Sequence, residues 1–436
     1  MIVIGGGLAG LAASAALAGA GFTVELLESR AFLGGRATSY PLAPSGGEPD
    51  TIDNCQHILL RCCVNLLDFY RRLGVDGRIR FHREFHFLEP GGRASTLNAG
   101  WLPAPLHFTG SFLKLRFLGA ADKLSIGRAM AAIRREWSRR GDLDRITMRQ
   151  WLEEKRQTPR AIERFWRPVL VSAINEELDR MAARHAFQVF RLGFLSRADS
   201  YEMGVPSVPL GDLYGNEAWK RFPGVKIALR SPVERIVFEN GEVRELAAQG
   251  AAARAGFYIC ALPFERIASL APDWPLDLEK FSHSPITGVH LWFDRPVTDL
   301  PHAALLDRTI QWMFNKDRGR YVQLVVSASR SLVEMSRADV IALAVRELGE
   351  FFPAAREAHL EKAHVVKEVR ATFSAVPGLE RPPAETPYPN LFLAGDWTQS
   401  GWPATMEGAV RSGYLAAEAV TAAAGSRKRF LLHDIG

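Results

Sequence analysis

Gly5, Gly7 and Gly10 follow the short apolar run Ile2-Val3-Ile4 and open a small-residue stretch from Leu8 that reads as a helix. Glycine at the first of these positions permits a tight turn, at the second lets backbone approach a diphosphate, and at the third lets helix and strand pack closely. Free N–H groups and the positive end of the helix dipole favour an anion there. Glu28 ends the next apolar run, 18 residues after Gly10, at the spacing from which a carboxylate accepts hydrogen bonds from ribose hydroxyls. A carboxylate there repels a 2′-phosphate, which argues against NADP. Near the other end, Gly395-Asp396 follows the run Leu391–Ala394, and Thr405-Met406 precedes another helix-forming stretch from Glu407. The chemistry predicted is the holding of a redox dinucleotide. One end of the chain holds the diphosphate, and the other meets the ring.

The elements that position these residues follow from periodicity. A strand over Ile2–Ile4, a helix over Leu8–Ala20 stopped by Gly21, and a strand over Thr23–Leu27 make a βαβ unit. A loop spans Pro41–Pro49, and Val64–Leu73 is a short amphipathic helix closed by Gly74. Alternation predicts one strand over Phe81–Leu88, and residues 111–200 carry helical periodicity. Strands return at Val225–Leu229, at Val233–Phe238 with an Asn240-Gly241 turn into Val243–Ala247, and at Phe257–Leu262. Further strands are predicted at Thr287–Phe293, Tyr321–Ser327 and Leu391–Ala394, with helices at Ala338–Phe352 and Glu407–Ala423. Residues 426–436 read as a loosely ordered tail.

A chain of 436 residues exceeds one hydrophobic core. With 47% hydrophobic and 23% charged residues it is an ordinary folded protein. A net charge of +6 (54 basic, 48 acidic) favours anionic surfaces generally without naming one. Cys55, Cys62, Cys63 and Cys260 are too few and too irregular for a disulfide framework or a zinc knuckle, which points to a reducing cytoplasm. Met1–Val24 has no basic leading region and holds six glycines, so it reads as strand, turn and helix rather than as a signal peptide or membrane span. There is no metal-ligand spacing, nucleophile elbow or nucleic-acid motif.

Val3–Ala12, Glu28 and Gly34-Gly35-Arg36-Ala37 resemble the start of the amine oxidase and carotenoid desaturase superfamily, and Leu391–Trp397 with Glu407–Gly413 resemble its close. The resemblance implies an α/β (α+β) fold with a Rossmann-like FAD-binding domain. It also implies a discontinuous substrate domain of mixed sheet plus helical insertion. The FAD-binding part would comprise 1–75, 205–280 and 370–425, and the substrate part 76–204 and 281–369. FAD rather than NAD is expected, held by Gly5, Gly7, Leu8, Ala9, Gly10, Glu28, Ser29, Gly35, Arg36, Val233, Gly395, Asp396, Thr405 and Met406. By the same resemblance Arg36 lies near the phosphates or ribose, Val233 meets the adenine through its backbone, and Asp396 binds the ribityl or diphosphate portion. The N–H groups around Thr405 and Met406 face the flavin N1–C2=O edge.

Asp53–Leu60 followed by Asn65–Gly74, together with Trp312–Lys316 and Val325–Ser329, is similar to the squalene-associated FAD-dependent desaturase branch, whose members are hydroxysqualene dehydroxylases of bacterial hopanoid synthesis. Cys55 stands where that pattern has glycine. The implied reaction is hydride delivery from reduced flavin N5 to the carbon of an allylic alcohol, with loss of water and formation of squalene. Hydroxide is a poor leaving group, so a general acid is required. His57 and Asp53 are the candidates, with a backbone-bonded histidine and a positioning aspartate as the plainer readings. Trp101–Phe108 and Phe112–Leu118, followed by Arg134, Arg135, Arg139 and Arg140, interleave aromatics and cations as a peripheral membrane face would. The alternatives are an oxidative member of the superfamily (carotenoid desaturase, protoporphyrinogen oxidase or amine oxidase) and a non-catalytic isoprenoid carrier. A separate reductase or free reduced nicotinamide would supply electrons, since no second dinucleotide fingerprint is present.

Overall fold

The computed structural model describes residues 1–42, 50–272 and 274–435, so most of the predicted loop Pro41–Pro49 lies outside the described residues. Strand β1 (Ile2–Ile4) turns through the glycines into helix α1 (Leu8–Gly19), and strand β2 (Val24–Leu27) returns beside β1 in parallel. Val225–Ala228 adds in parallel outside β2, while Tyr258–Cys260 and then Leu391–Leu393 add on the far side of β1. The result is a five-stranded parallel sheet whose central strand comes from the first residues of the chain. β1, Tyr258–Cys260 and Leu391–Leu393 are buried throughout and read as continuous apolar runs.

α1 is buried along Leu8–Leu17 and is built almost wholly of Ala, Gly and Leu. Small residues let backbones approach. A Cβ at Gly10 would stand 2.0 Å from the Gly5 carbonyl oxygen, and one at Gly413 would stand 2.2 Å from that of Ala9. Gly413 belongs to the C-terminal helix Met406–Ala423, which therefore crosses α1 almost backbone to backbone. Helix α2 (Val64–Leu73) covers the same layer, where Tyr414 Oη donates to Asp68 at 2.8 Å.

A second sheet of seven strands runs in the order Leu360–Phe373, His283–Phe293, Tyr321–Ser327, Trp312–Asp317, His302–Leu305, Glu84–Glu89, Arg93–Asn98. It is antiparallel except where His302–Leu305 meets Glu84–Glu89. Helices between Thr109 and Leu195 pack against one face of it. The mixed α/β class matches the expectation from the sequence.

The structure departs from the sequence reading in several details, among them one predicted strand and the tail. The single strand over Phe81–Leu88 is two strands in different sheets, Ile79–His82 and Glu84–Glu89, because Arg83 turns out of line and its carbonyl accepts from Tyr201 Oη at 2.8 Å. The C-terminal tail is docked rather than loose. Phe430 is buried and its N–H donates to Glu418, Leu432 N–H donates to Asn65, and Asp434 pairs with Arg411 at 2.9 Å.

Candidate functional site

The glycine turn forms a cradle. Gly5 sits at φ +105°, a conformation that glycine adopts without strain, and a Cβ there would meet the Ala261 carbonyl oxygen at 2.9 Å. Gly34 N–H donates to the Gly6 carbonyl, which brings the Gly34–Arg36 turn over the N-terminus of α1. A Cβ added at Gly35 would stand 3.0 Å from Gly7 Cα. The two bare glycine faces and the first free N–H groups of α1, at Leu8 and Ala9, are what a diphosphate requires.

Glu28 is buried, with one carboxylate oxygen accepting from Gly6 N–H at 2.7 Å and the other from Arg30 N–H at 2.7 Å and Ser29 Oγ at 3.2 Å. A carboxylate offers about four lone-pair sites, so capacity remains for a ribose hydroxyl. Ser231 N–H donates to the Glu28 carbonyl, which sets the segment leading into Val233 beside it. Hydrogen bonds thus join the Gly5–Gly10 turn, Glu28–Arg30 and the Gly34–Arg36 turn, with Ser231, two residues before Val233, attached through Glu28.

Arg36 crosses to the other end of the chain. Its Nη2 makes a bidentate pair with Asp396 at 2.8 and 2.9 Å, and Nη1 donates to the Ala371 carbonyl at 2.8 Å. Burial pulls the guanidinium pKa down, but Asp396 more than offsets it and holds the group above its ordinary value. Gly395 N–H donates to Ser412 Oγ, which ties the end of the last strand to the C-terminal helix. Thr405 caps that helix through Oγ1, which accepts from Gly408 N–H at 3.0 Å.

Thr405 and Met406 also form the floor of a cavity of about 470 Å³. Its walls are apolar and aromatic, with Phe85, Phe108, Phe165, Phe190, Trp312 and Trp402 among them. Among the described residues Arg134 and Glu407 are the charged side chains of the wall. Glu407 is engaged within the protein: it accepts from Asn65 Nδ2 at 2.8 Å and from the backbone N–H of Asn65 and Leu66, capping α2, and Arg411 stands 3.8 Å from Oε1. Burial pushes its carboxyl up to about 7, with the Leu66 and Asn65 donors working against that rise.

The predicted acid–base pair lies beside this cavity rather than on its wall, which Ile58, the next residue, helps to form. Asp53 Oδ1 accepts from Ser39 Oγ and Leu210 N–H, and Oδ2 pairs with Lys316 at 3.1 Å. Burial raises its pKa, but Lys316, Leu210 and Ser39 outweigh it and keep the carboxyl below its usual value. That is the geometry of a positioning anion and a poor proton donor. His57 places Nδ1 3.1 Å from the Cys55 carbonyl. Burial lowers its pKa more than that bond and Asp53 raise it, so the ring is neutral near pH 7.

The sequence alone did not locate the residues of the aromatic wall or the Lys316–Asp53 pair. The wall residues come from scattered helices and strands with no shared motif. Lys316 stands within the quoted Trp312–Lys316 stretch, where a lysine one residue before an aspartate at a strand end reads as solvated.

Residues 8–421 match the family of flavin containing amine oxidoreductases, and the chain belongs to that family. It is 26% identical to a 15-cis-phytoene desaturase of Synechococcus elongatus over 96% of this chain and 95% of that one. It is 27% identical to a hydroxysqualene dehydroxylase of Zymomonas mobilis, over 95% of this chain and 97% of the other. An oxidoreductase from Methanosarcina mazei shares the fold, with a TM-score of 0.73 at 18% identity over 94% of this chain and 98% of that one. The protein is an FAD-dependent oxidoreductase of the amine oxidase and carotenoid desaturase superfamily.

Proposed function

We propose that the protein reductively dehydroxylates hydroxysqualene to squalene, in squalene and hopanoid biosynthesis. The observation that carries this reading is the aromatic, nearly uncharged cavity that ends on Thr405 and Met406. A hydrocarbon chain fits such walls, and a cationic amine finds no free carboxylate there among the described residues. FAD, bound and reduced, supplies the hydride. The chain's own part is to exclude water, to surround developing positive charge on the allylic carbon with aromatic faces, and to see a proton delivered to the departing hydroxyl. One alcohol, one hydride and one proton give squalene and water. His57 is proposed to relay that proton, its neutral ring taking one up from solvent as it gives one to the hydroxyl, with Asp53 holding its segment through Ser39, Leu210 and Lys316.

The substrate is proposed to enter from a membrane surface, the chain being cytoplasmic and peripherally bound. Pro105, Leu106, Phe112, Ile126 and Arg134 line the cavity, and Trp101 (90% exposed), Leu113 (61%), Leu106 (57%) and Leu124 (56%) are the most exposed large apolar side chains among the described residues. Arg134, Arg135 and Arg139 are exposed nearby, whereas Arg140 is drawn into Asp142 and Glu154, and Leu115, Phe117 and Leu118 turn into the core. No helix among the described residues is long and apolar enough to cross a membrane. The division into an FAD-binding and a substrate-binding domain, and a separate electron donor, are parts of the same proposal.

The 15-cis-phytoene desaturase relative favours one rival, an oxidative desaturation of an isoprenoid. Anaerobic incubation of the FAD-loaded protein with hydroxysqualene and dithionite separates the two. Squalene formed only with reductant supports the proposal. Turnover of phytoene by oxidised protein, with hydroxysqualene untouched, overturns it.

A further inference from the structure

We infer that Arg381 is the cation that biases the bound flavin toward its reduced form, by facing the electron-rich pyrimidine end of the ring. Arg381 lies in the loop between strands Leu360–Phe373 and Leu391–Leu393. Its Nη1 donates to the carbonyl oxygens of Asp396 at 3.2 Å and Trp402 at 2.7 Å, and the guanidinium stands 5.3 Å from the centre of the Phe373 ring. Among the described residues no carboxylate comes within ion-pair distance of it. Other partly or fully buried arginines have one: Arg36 has Asp396, Arg330 has Glu176 and Arg411 has Asp434. Among the described residues Nη2 and Nε have no hydrogen-bond acceptor, and the side chain is only partly buried.

A partly buried cation with donors to spare and no counter-ion is best completed by something electron-rich. Burial, only partly offset by the distant Asp396 and Asp144 carboxylates, holds its pKa down to about 10, so the charge is kept at neutral pH. The backbone it grips is the segment that runs from Asp396 through Trp402 to Thr405, the cap of the helix Met406–Ala423. That helix adds the positive end of its dipole, so two sources of positive potential act on one loop. The diphosphate cradle lies at Gly5–Gly10, and Arg36 links it to Asp396, so the dinucleotide runs toward this loop. Reduction places negative charge on the N1–C2=O edge of a flavin, and fixed positive charge there stabilises the reduced form. This inference rests on FAD binding and not on the identity of the substrate.

The test is the reduction potential of the FAD-loaded protein, read without substrate by equilibration with a redox dye. Arg381→Gln keeps hydrogen-bond donors but loses the charge, and Arg381→Lys keeps the charge. In Arg381→Gln the reduced-to-oxidised ratio at a fixed potential is expected to fall about tenfold, about 30 mV for two electrons. Arg381→Lys is expected to stay within threefold of the unaltered protein. Equal ratios in all three proteins overturn the inference, and so does a Lys variant that falls as far as the Gln variant. If Arg381→Gln fails to hold FAD, absorbance titration of the flavin N3–H in the unaltered protein decides: a pKa below that of free FAD supports the inference, and an equal or higher one overturns it.

Discussion

Cys55 has a φ of +81°, in the region where side chains other than glycine's are strained. Its N–H donates back to the Asp53 carbonyl at 2.8 Å and its own carbonyl accepts from His57, so the strained residue sets the ring beside the cavity. Cys55→Gly removes strain of about 1–2 kcal/mol but gives up a buried thiol and adds freedom to the unfolded chain, about 1 kcal/mol together. Its thermal midpoint is expected to stay close to that of the unaltered protein. Cys55→Val, closer in bulk but branched at Cβ, is expected to lose more than about 2 kcal/mol. A Val variant as stable as the Gly variant would remove the strain account.

Helix α2 begins at Cys63 without a side-chain cap of its own, and Glu407, on another helix, supplies the missing acceptor to Asn65 and Leu66. Asn65 in turn receives the tail at Leu432, so one carboxylate joins α2, the C-terminal helix and the tail. Glu407→Gln turns one acceptor into a donor facing N–H groups and is expected to cost about 1–3 kcal/mol in urea denaturation. A loss below about 0.5 kcal/mol would show that this junction is not held by the carboxylate. Elements were legible where the residue pattern is local. α2 was read to the residue, and the βαβ start nearly so, because Gly21 and Gly74 stop the helices visibly. The 14-residue strand Leu360–Phe373 was not read. As an edge strand it exposes Glu361 and Arg370, pairs Lys362 with Asp50 and bonds Lys367 and Glu368 to neighbouring loops, and its polar content hides the alternation. The cofactor cradle was legible because glycines act through their own backbone. The substrate wall was not, because its aromatics meet only once distant helices pack.

At the scale of the whole molecule, burial of uncharged imidazoles sets a limit on acid stability. His290 and His302 are fully buried, and burial pulls their pKa values down to about 3 and about 4. An unfolded chain binds these protons near 6.5. The stability each confers is therefore present above about pH 6.5 and is lost as pH falls from there toward the folded values. Between pH 7 and pH 5 each is expected to forfeit about 2 kcal/mol, seen as a falling urea midpoint. His290→Gln should flatten that fall, and an unchanged slope would discount the histidine.

The exposed apolar and basic rim makes a second prediction at this scale. Vesicles rich in phosphatidylglycerol should bind the protein at least tenfold better than phosphatidylcholine vesicles, and replacing Trp101, Leu106 and Leu113 by Ser should remove most of that binding. Equal binding to both vesicle types, or a triple variant that binds normally, would count against a membrane-facing mouth.

The central position of β1 also shapes how the molecule is made. Ile2 lies in a sheet that is completed by Leu391, 389 positions later, and α1 is covered by a helix that begins at Met406. At about 5–20 residues per second of synthesis, the first strand waits about 20–80 s for its last partners. During that interval the uncharged stretch from Met1 to Val24 has no permanent cover. In a growing chain of this design the apolar face of α1 stays open to other contacts until the helix Met406–Ala423 is in place.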